Sequence, residues 1–106
     1  MQSRSPQTIA DTATLVAEVA SRHPEVTGVW LFGSRARGDH NEVSDFDLYV
    51  EFDYGKLSWI GYAKLISDLE GALDSRIDLV SGPDVARRSP VLWSQIQKDK
   101  VLLYER

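Results

Sequence analysis

A small α/β (α+β) fold, a mixed β-sheet backed by helices, is what the 106-residue sequence predicts. Three features lead to it. Apolar residues recur at helical spacing in separated stretches, β-branched and aromatic runs alternate with them, and Gly, Pro, Ser and Asp cluster at the joins. Read along the chain, the order is helix, strand, turn, strand, helix, strand, helix, strand.

Each element has its own signal. Ser5-Pro6 sets a capping hydroxyl before a proline at a first helical position. Ile9, Thr12, Ala13, Val16, Val19 and Ala20 then repeat at helical spacing until His23-Pro24 ends the run. That pattern predicts a helix packed on one face of the sheet. Residues 26–32 are β-branched, aromatic and mostly apolar between Pro24 and Gly33, which predicts a strand buried on both faces and internal to the sheet. Residues 34–37 suit a short helical turn before Gly38, and residues 39–44 read as an exposed polar connection.

Residues 45–52 alternate cleanly. Asp45, Asp47, Tyr49 and Glu51 form one face and Phe46, Leu48, Val50 and Phe52 the other, so a half-buried strand with a wet acidic side is predicted. A turn at 53–56 leads into a helix over 57–73, whose inner stripe is read as Ile60, Ala63, Ile66, Leu69 and Leu73. Residues 76–80 are a short strand with Ile77 and Leu79 on one face and Arg76, Asp78 and Val80 on the other. Ser81-Gly82-Pro83 is read as a turn, followed by a helical turn over 84–88. Ser89-Pro90 repeats the cap-and-proline signal before a helix at 91–97 that turns Leu92 and Ile96 inward, and residues 101–104 make the last strand. Trp30, Trp59, Trp93 and Tyr62 are all expected to pack.

Composition narrows the function. With 42% hydrophobic and 26% charged residues, the chain reads as one ordinary globular domain spanning 1–106. No apolar run approaches the roughly 20 residues of a membrane span, and no leader is expected, so the predicted location is the cytoplasm. Zero cysteines exclude a disulfide framework and a thiolate metal site. A net charge of −4 argues against tracking nucleic acid, and no direct contact with it is expected.

The chemistry concentrates in one stretch. Gly33-Ser34 follows a strand, and ten residues later come Asp45 and Asp47, two positions that share a face of an extended strand. Two carboxylates about 4 Å apart repel by roughly 4 kcal/mol at an effective dielectric near 20. Such a pair invites a cation, and hard oxygen ligands suit Mg²⁺, which shares its coordination with substrate phosphates. Gly33 allows a close backbone approach, while the amides and hydroxyl of Ser34 can meet phosphate oxygens. If the strand carrying Asp78 lies beside residues 45–52, three carboxylates gather, enough for two ions that stabilise both oxygens of an in-line displacement.

Here the residues resemble a family. Gly33-Ser34, ten residues and Asp45-Phe46-Asp47 resemble the pattern of the DNA polymerase β-like nucleotidyltransferases. The run Leu31-Phe32-Gly33-Ser34-Arg35-Ala36-Arg37-Gly38, followed by Ser44-Asp45-Phe46-Asp47-Leu48, is similar to their minimal nucleotidyltransferase (MNT) branch. Arg76-Ile77-Asp78-Leu79-Val80 resembles the strand on which that family places its third carboxylate, and the likeness covers residues 26–104.

The resemblance implies a polymerase β-like core and transfer of AMP from ATP, with pyrophosphate leaving. Asp45, Asp47 and Asp78 would be the catalytic, metal-binding carboxylates for two Mg²⁺ ions, with Asp78 helping to deprotonate the attacking hydroxyl. Gly33 and Ser34 would seat the triphosphate. Arg35 and Arg37 would be candidates for phosphate contact, beside a plain reading as surface arginines, and His40 ranks below the carboxylates as a base. The implied partner is a helical HEPN-domain ribonuclease toxin, modified on a tyrosine, with this chain as antitoxin. Two rival readings are an antitoxin that masks its toxin by contact alone and a free-standing transferase for small molecules of the aminoglycoside type.

Overall fold

The structure, a computed structural model, describes residues 8–39 and 45–106, leaving aside the side chains of Pro83 and Asp84. The elements are α1 (Ile9–Ala20), β1 (Val26–Phe32), α2 (Ser34–Arg37), β2 (Phe46–Phe52), α3 (Trp59–Leu73), β3 (Ile77–Ser81), α4 (Gly82–Arg88), α5 (Pro90–Asp99) and β4 (Val101–Glu105). The expected Ser5-Pro6 helix start lies outside the described residues. The described helix begins at Ile9, where the Thr8 hydroxyl accepts from the Asp11 amide at 3.0 Å.

The four strands lie in the order β3-β2-β1-β4. β1 is antiparallel to both neighbours, whereas β2 and β3 run parallel and are joined by the α3 crossover. β1 is therefore internal, as its apolar sequence predicts. Alternation along the strands divides the core in two. Val29, Leu31, Phe46, Leu48, Val50 and Phe52 face α1 and α3, meeting Val16, Val19, Leu65, Leu69 and Leu73. Each such Val or Leu, fully removed from water, contributes roughly 1.5–3 kcal/mol.

The opposite face differs from the wet surface that alternation predicts. Tyr49 is buried there with Phe32, Val85 and Ile96, and Trp30, Val80 and Trp93 complete the cluster. α4 starts directly at Gly82 and runs seven residues, in place of the expected turn at 81–83 and single helical turn over 84–88, and with α5 it covers this side of the sheet. Lys100 places its ammonium 5.3 Å from the Trp30 ring, so the second core is aromatic with a cation at its edge.

Two predicted helix faces are corrected. On α3 the buried line is Leu65, Leu69 and Leu73, while Ile60 is 62% exposed and Trp59 81% exposed. A sequence with apolar residues on adjacent stripes allows either rotation, and the Tyr62 stripe wins because Tyr62 meets Phe52 at a ring separation of 6.0 Å. On α5 Ile96 is buried as expected, but Leu92 is exposed at the helix start. Ser89 caps that helix by accepting from the Leu92 amide at 3.2 Å, as the Ser-Pro signal predicts. No helix among the described residues is long and apolar enough to cross a membrane.

Candidate active site

The site is built where β1 ends and β2 and β3 begin. Gly33 leaves β1 with φ 77° and ψ −156°, a region essentially reserved for glycine. Its carbonyl accepts from the amides of Ala36 and Arg37, each at 3.1 Å, starting α2. Gly38 closes the turn in the left-handed conformation, with its amide 2.9 Å from the Ser34 carbonyl. Two positive-φ glycines thus bracket one short turn, whose leading amides project from a helix start.

Directly beneath this bend lies Asp47. Phe32 pairs with Asp47 across β1 and β2, so Gly33 follows immediately alongside. A Cβ on Gly33 would overlap Asp47 Oδ2 and come 3.0 Å from its Cγ. The absence of a side chain at 33 is what lets the backbone touch the carboxylate.

Asp78 stands opposite Asp47 in the parallel β2–β3 register, one step from the Phe46–Ile77 pair. Partners in register point to the same side of a sheet. Asp45 precedes β2 and is exposed, as is Asp78, whereas Asp47 is half-buried. Burial pushes the Asp47 carboxyl above its ordinary range, and the nearby charges of Asp78 and then Asp45 push it further. The Arg37 guanidinium acts in the opposite direction. The charges of Asp78 and Asp45 therefore both reach Asp47.

The donor set is all carboxylate oxygen, the ligand type of Mg²⁺. Among the described residues no three His, Cys, Asp or Glu side chains form a ready-made cage for an ion. A destabilised carboxylate at the centre, with a glycine backbone against it, fits a positive ion arriving with an anionic ligand.

The two candidate arginines part company. Arg37 Nη1 donates to Asp99 at 2.9 Å and its Nε donates to Asp39 at 3.2 Å, tying α2 to the end of α5. Sequence reading missed Asp99, which lies 62 residues away and carries no local signal. Arg35 is no surface arginine. It is 4% exposed, with its guanidinium carbon 3.8 Å from the centre of the Phe46 ring. Burial lowers its pKa, and the charge of Asp45 opposes that shift. His40 and Ser44 lie outside the described residues.

A cleft of about 290 Å³ opens at the other end of β3, lined by Tyr62, Leu79, Val85, Arg88 and Leu92 among others. It contains none of the three aspartates, so this hollow and the carboxylate group are separate places.

A family model described as polymerase beta, nucleotidyltransferase matches residues 15–106. The Methanocaldococcus jannaschii protein named "Putative protein adenylyltransferase MJ1379" is 32% identical over 98 residues, covering 85% of this chain and 96% of that protein. Among solved structures, a chain from the crystal structure of a toxin-antitoxin with AMP-PNP aligns with a TM-score of 0.69 and 27% identity, over 89% of this chain and 73% of that one. A chain from the tri-AMPylated Shewanella oneidensis HEPN toxin in complex with MNT antitoxin aligns with a TM-score of 0.61 and 25% identity, over 90% of this chain and 71% of that one.

Proposed function

This chain belongs to the polymerase β nucleotidyltransferase family, and we propose that it moves AMP from ATP onto a tyrosine hydroxyl of a HEPN-type toxin, acting as that toxin's antitoxin. The observation that carries the chemistry is Asp47 facing Asp78 in register beneath the Gly33 bend. Support for the substrate and partner comes from its relatives: one similar structure contains AMP-PNP, and another contains a tri-AMPylated HEPN toxin with its MNT antitoxin.

In this reading Asp45, Asp47 and Asp78 would hold two Mg²⁺ ions, which would neutralise charge on the triphosphate and on the reacting oxygens. Gly33 and Ser34 seat the triphosphate tail with backbone amides and a hydroxyl. The tyrosine oxygen attacks the α-phosphorus, the bond to pyrophosphate breaks, and Asp78 draws off the hydroxyl proton. Arg37, whose charge reaches Asp47, would meet a phosphate oxygen by giving up one of its carboxylate partners; that its charge acts on Asp47 supports this reading.

The test is incubation of the purified chain with its cognate HEPN protein, Mg²⁺ and ATP labelled at the α-phosphate. One or more AMP increments on a partner tyrosine are expected, lost on chelation and in Asp47→Asn. A toxin that binds the chain yet acquires no AMP sinks the transfer. Undiminished neutralisation by Asp45→Asn/Asp47→Asn points to masking instead.

A further inference from the structure

We infer that Arg35 is a positioning residue of this site and not a phosphate ligand. The inference rests on the proposed nucleotidyl-transfer reading of Gly33, Asp45, Asp47 and Asp78, and adds a role that the motif position alone does not assign.

Arg35 is the only lysine or arginine buried among the described residues. Its guanidinium lies over Phe46, itself 1% exposed and set in the chain between Asp45 and Asp47. Phe46 is on the α1/α3 face of the sheet, the side opposite Asp47, so a cation stacked on that ring is directed away from the carboxylate face. The Phe46 amide also donates to the Arg76 carbonyl at 3.1 Å, two residues before Asp78. Phe46 therefore meets α2 through its ring and the residue before β3 through its amide.

The geometry explains what the contact accomplishes. α2 has only four residues, too few to hold its own position. Yet Gly33, at its head, must stay against the Asp47 carboxylate without a side chain to anchor it. Arg35, two residues later, supplies the anchor by pinning α2 to Phe46. A guanidinium is suited to the task because it is planar, stacks on aromatic faces and is weakly hydrated. The charge of Asp45 acts back on Arg35, opposing the effect of its burial.

Arg35→Met keeps length and removes charge and plane; Phe46→Leu keeps the apolar volume and removes the ring. Steady-state AMP transfer, melting curves and amide hydrogen exchange over residues 34–38 are measured for each variant, for the pair together and for Arg35→Lys. Pinning predicts that either single variant lowers kcat roughly ten- to hundredfold, the cost of a misplacement near 1 Å. The KM for ATP moves much less, the double variant is no worse than either single one, and Lys restores part of the rate. Exchange at 34–38 rises in all of them while the melting transition stays cooperative. A higher KM for ATP with unchanged kcat in Arg35→Met, or an inert Phe46→Leu, overturns the inference in favour of direct phosphate contact. If the wild-type chain transfers no AMP, the functional reading fails, and exchange at 34–38 still decides the pinning: unchanged exchange in Arg35→Met overturns it.

Discussion

Asp47 and Asp78 oppose each other across the parallel β2–β3 pair, with the Gly33 backbone against Asp47. The arrangement concentrates like charge at a half-buried position, and the folded chain holds it at a cost. A cation with bound polyphosphate would reverse the sign of that cost.

Replacing Asp47 with Asn should therefore stabilise the fold while abolishing transfer. The folded pKa of Asp47 is raised, so the folded state retains a proton that the unfolded chain gives up near pH 4. Stability falls as pH rises through that window, and the deficit persists at neutrality. Without divalent cations, Asp47→Asn is expected to gain on the order of 1 kcal/mol at pH 7, the usual size of a single stabilising change. Urea unfolding at pH 7 and pH 3 checks it, since the gain should vanish at the lower pH.

Gly33→Ala tests the bend. The new Cβ meets Asp47 Oδ2, and the φ 77° conformation is foreign to alanine. A loss of about 1–3 kcal/mol is expected from the backbone alone. Transfer should fall further than stability does, because relaxing the clash moves Asp47. Parallel chemical unfolding and rate measurements separate the two.

A second acidic contact has the opposite pH sign. His23 lies with Nε2 2.9 Å from Asp68 on α3 and Nδ1 3.3 Å from Glu25, joining the α1–β1 connection to the helix. The hydrogen bond from His23 holds Asp68 below the ordinary carboxylate range. A depressed carboxylate stabilises above its unfolded pKa and loses that effect as pH falls through the folded value. Asp68→Asn should lower Tm at pH 7 and coincide with wild type at about pH 2. A constant Tm difference across that range would argue against the contact.

The rotation of α3 is open to a paired substitution. Leu65 is fully buried and Ile60 is 62% exposed. Leu65→Ala should cost about 2–5 kcal/mol, and Ile60→Ala less than about 0.5 kcal/mol. Equal losses would mean that the helix presents the other stripe.

Local patterns carry a good part of this protein. Alternation in residues 45–52 is enough to put Asp47 and Phe46 on opposite faces, because side-chain direction in a strand depends only on parity. Glycines at 33 and 38 announce a tight turn for the same reason, since their φ values of 77° and 84° are local matters. Ser89-Pro90 marks a helix start through one hydroxyl and one amide.

Tertiary structure decided the rest. That β3 joins β2 in parallel, with Asp78 opposite Asp47, depends on where α3 crosses the sheet: residues 76–80 mark a strand with Asp78 on one face, and its neighbour is fixed only by the crossover. Tyr49 reads as the wet side of a strand until α4 and α5 fold over it. Arg35 reads as surface until Phe46, eleven positions on, receives its guanidinium. Dihedral preference and periodicity act over a turn or a strand, whereas register, helix rotation and the burial of a charge are settled by contacts that exist only once distant segments have met.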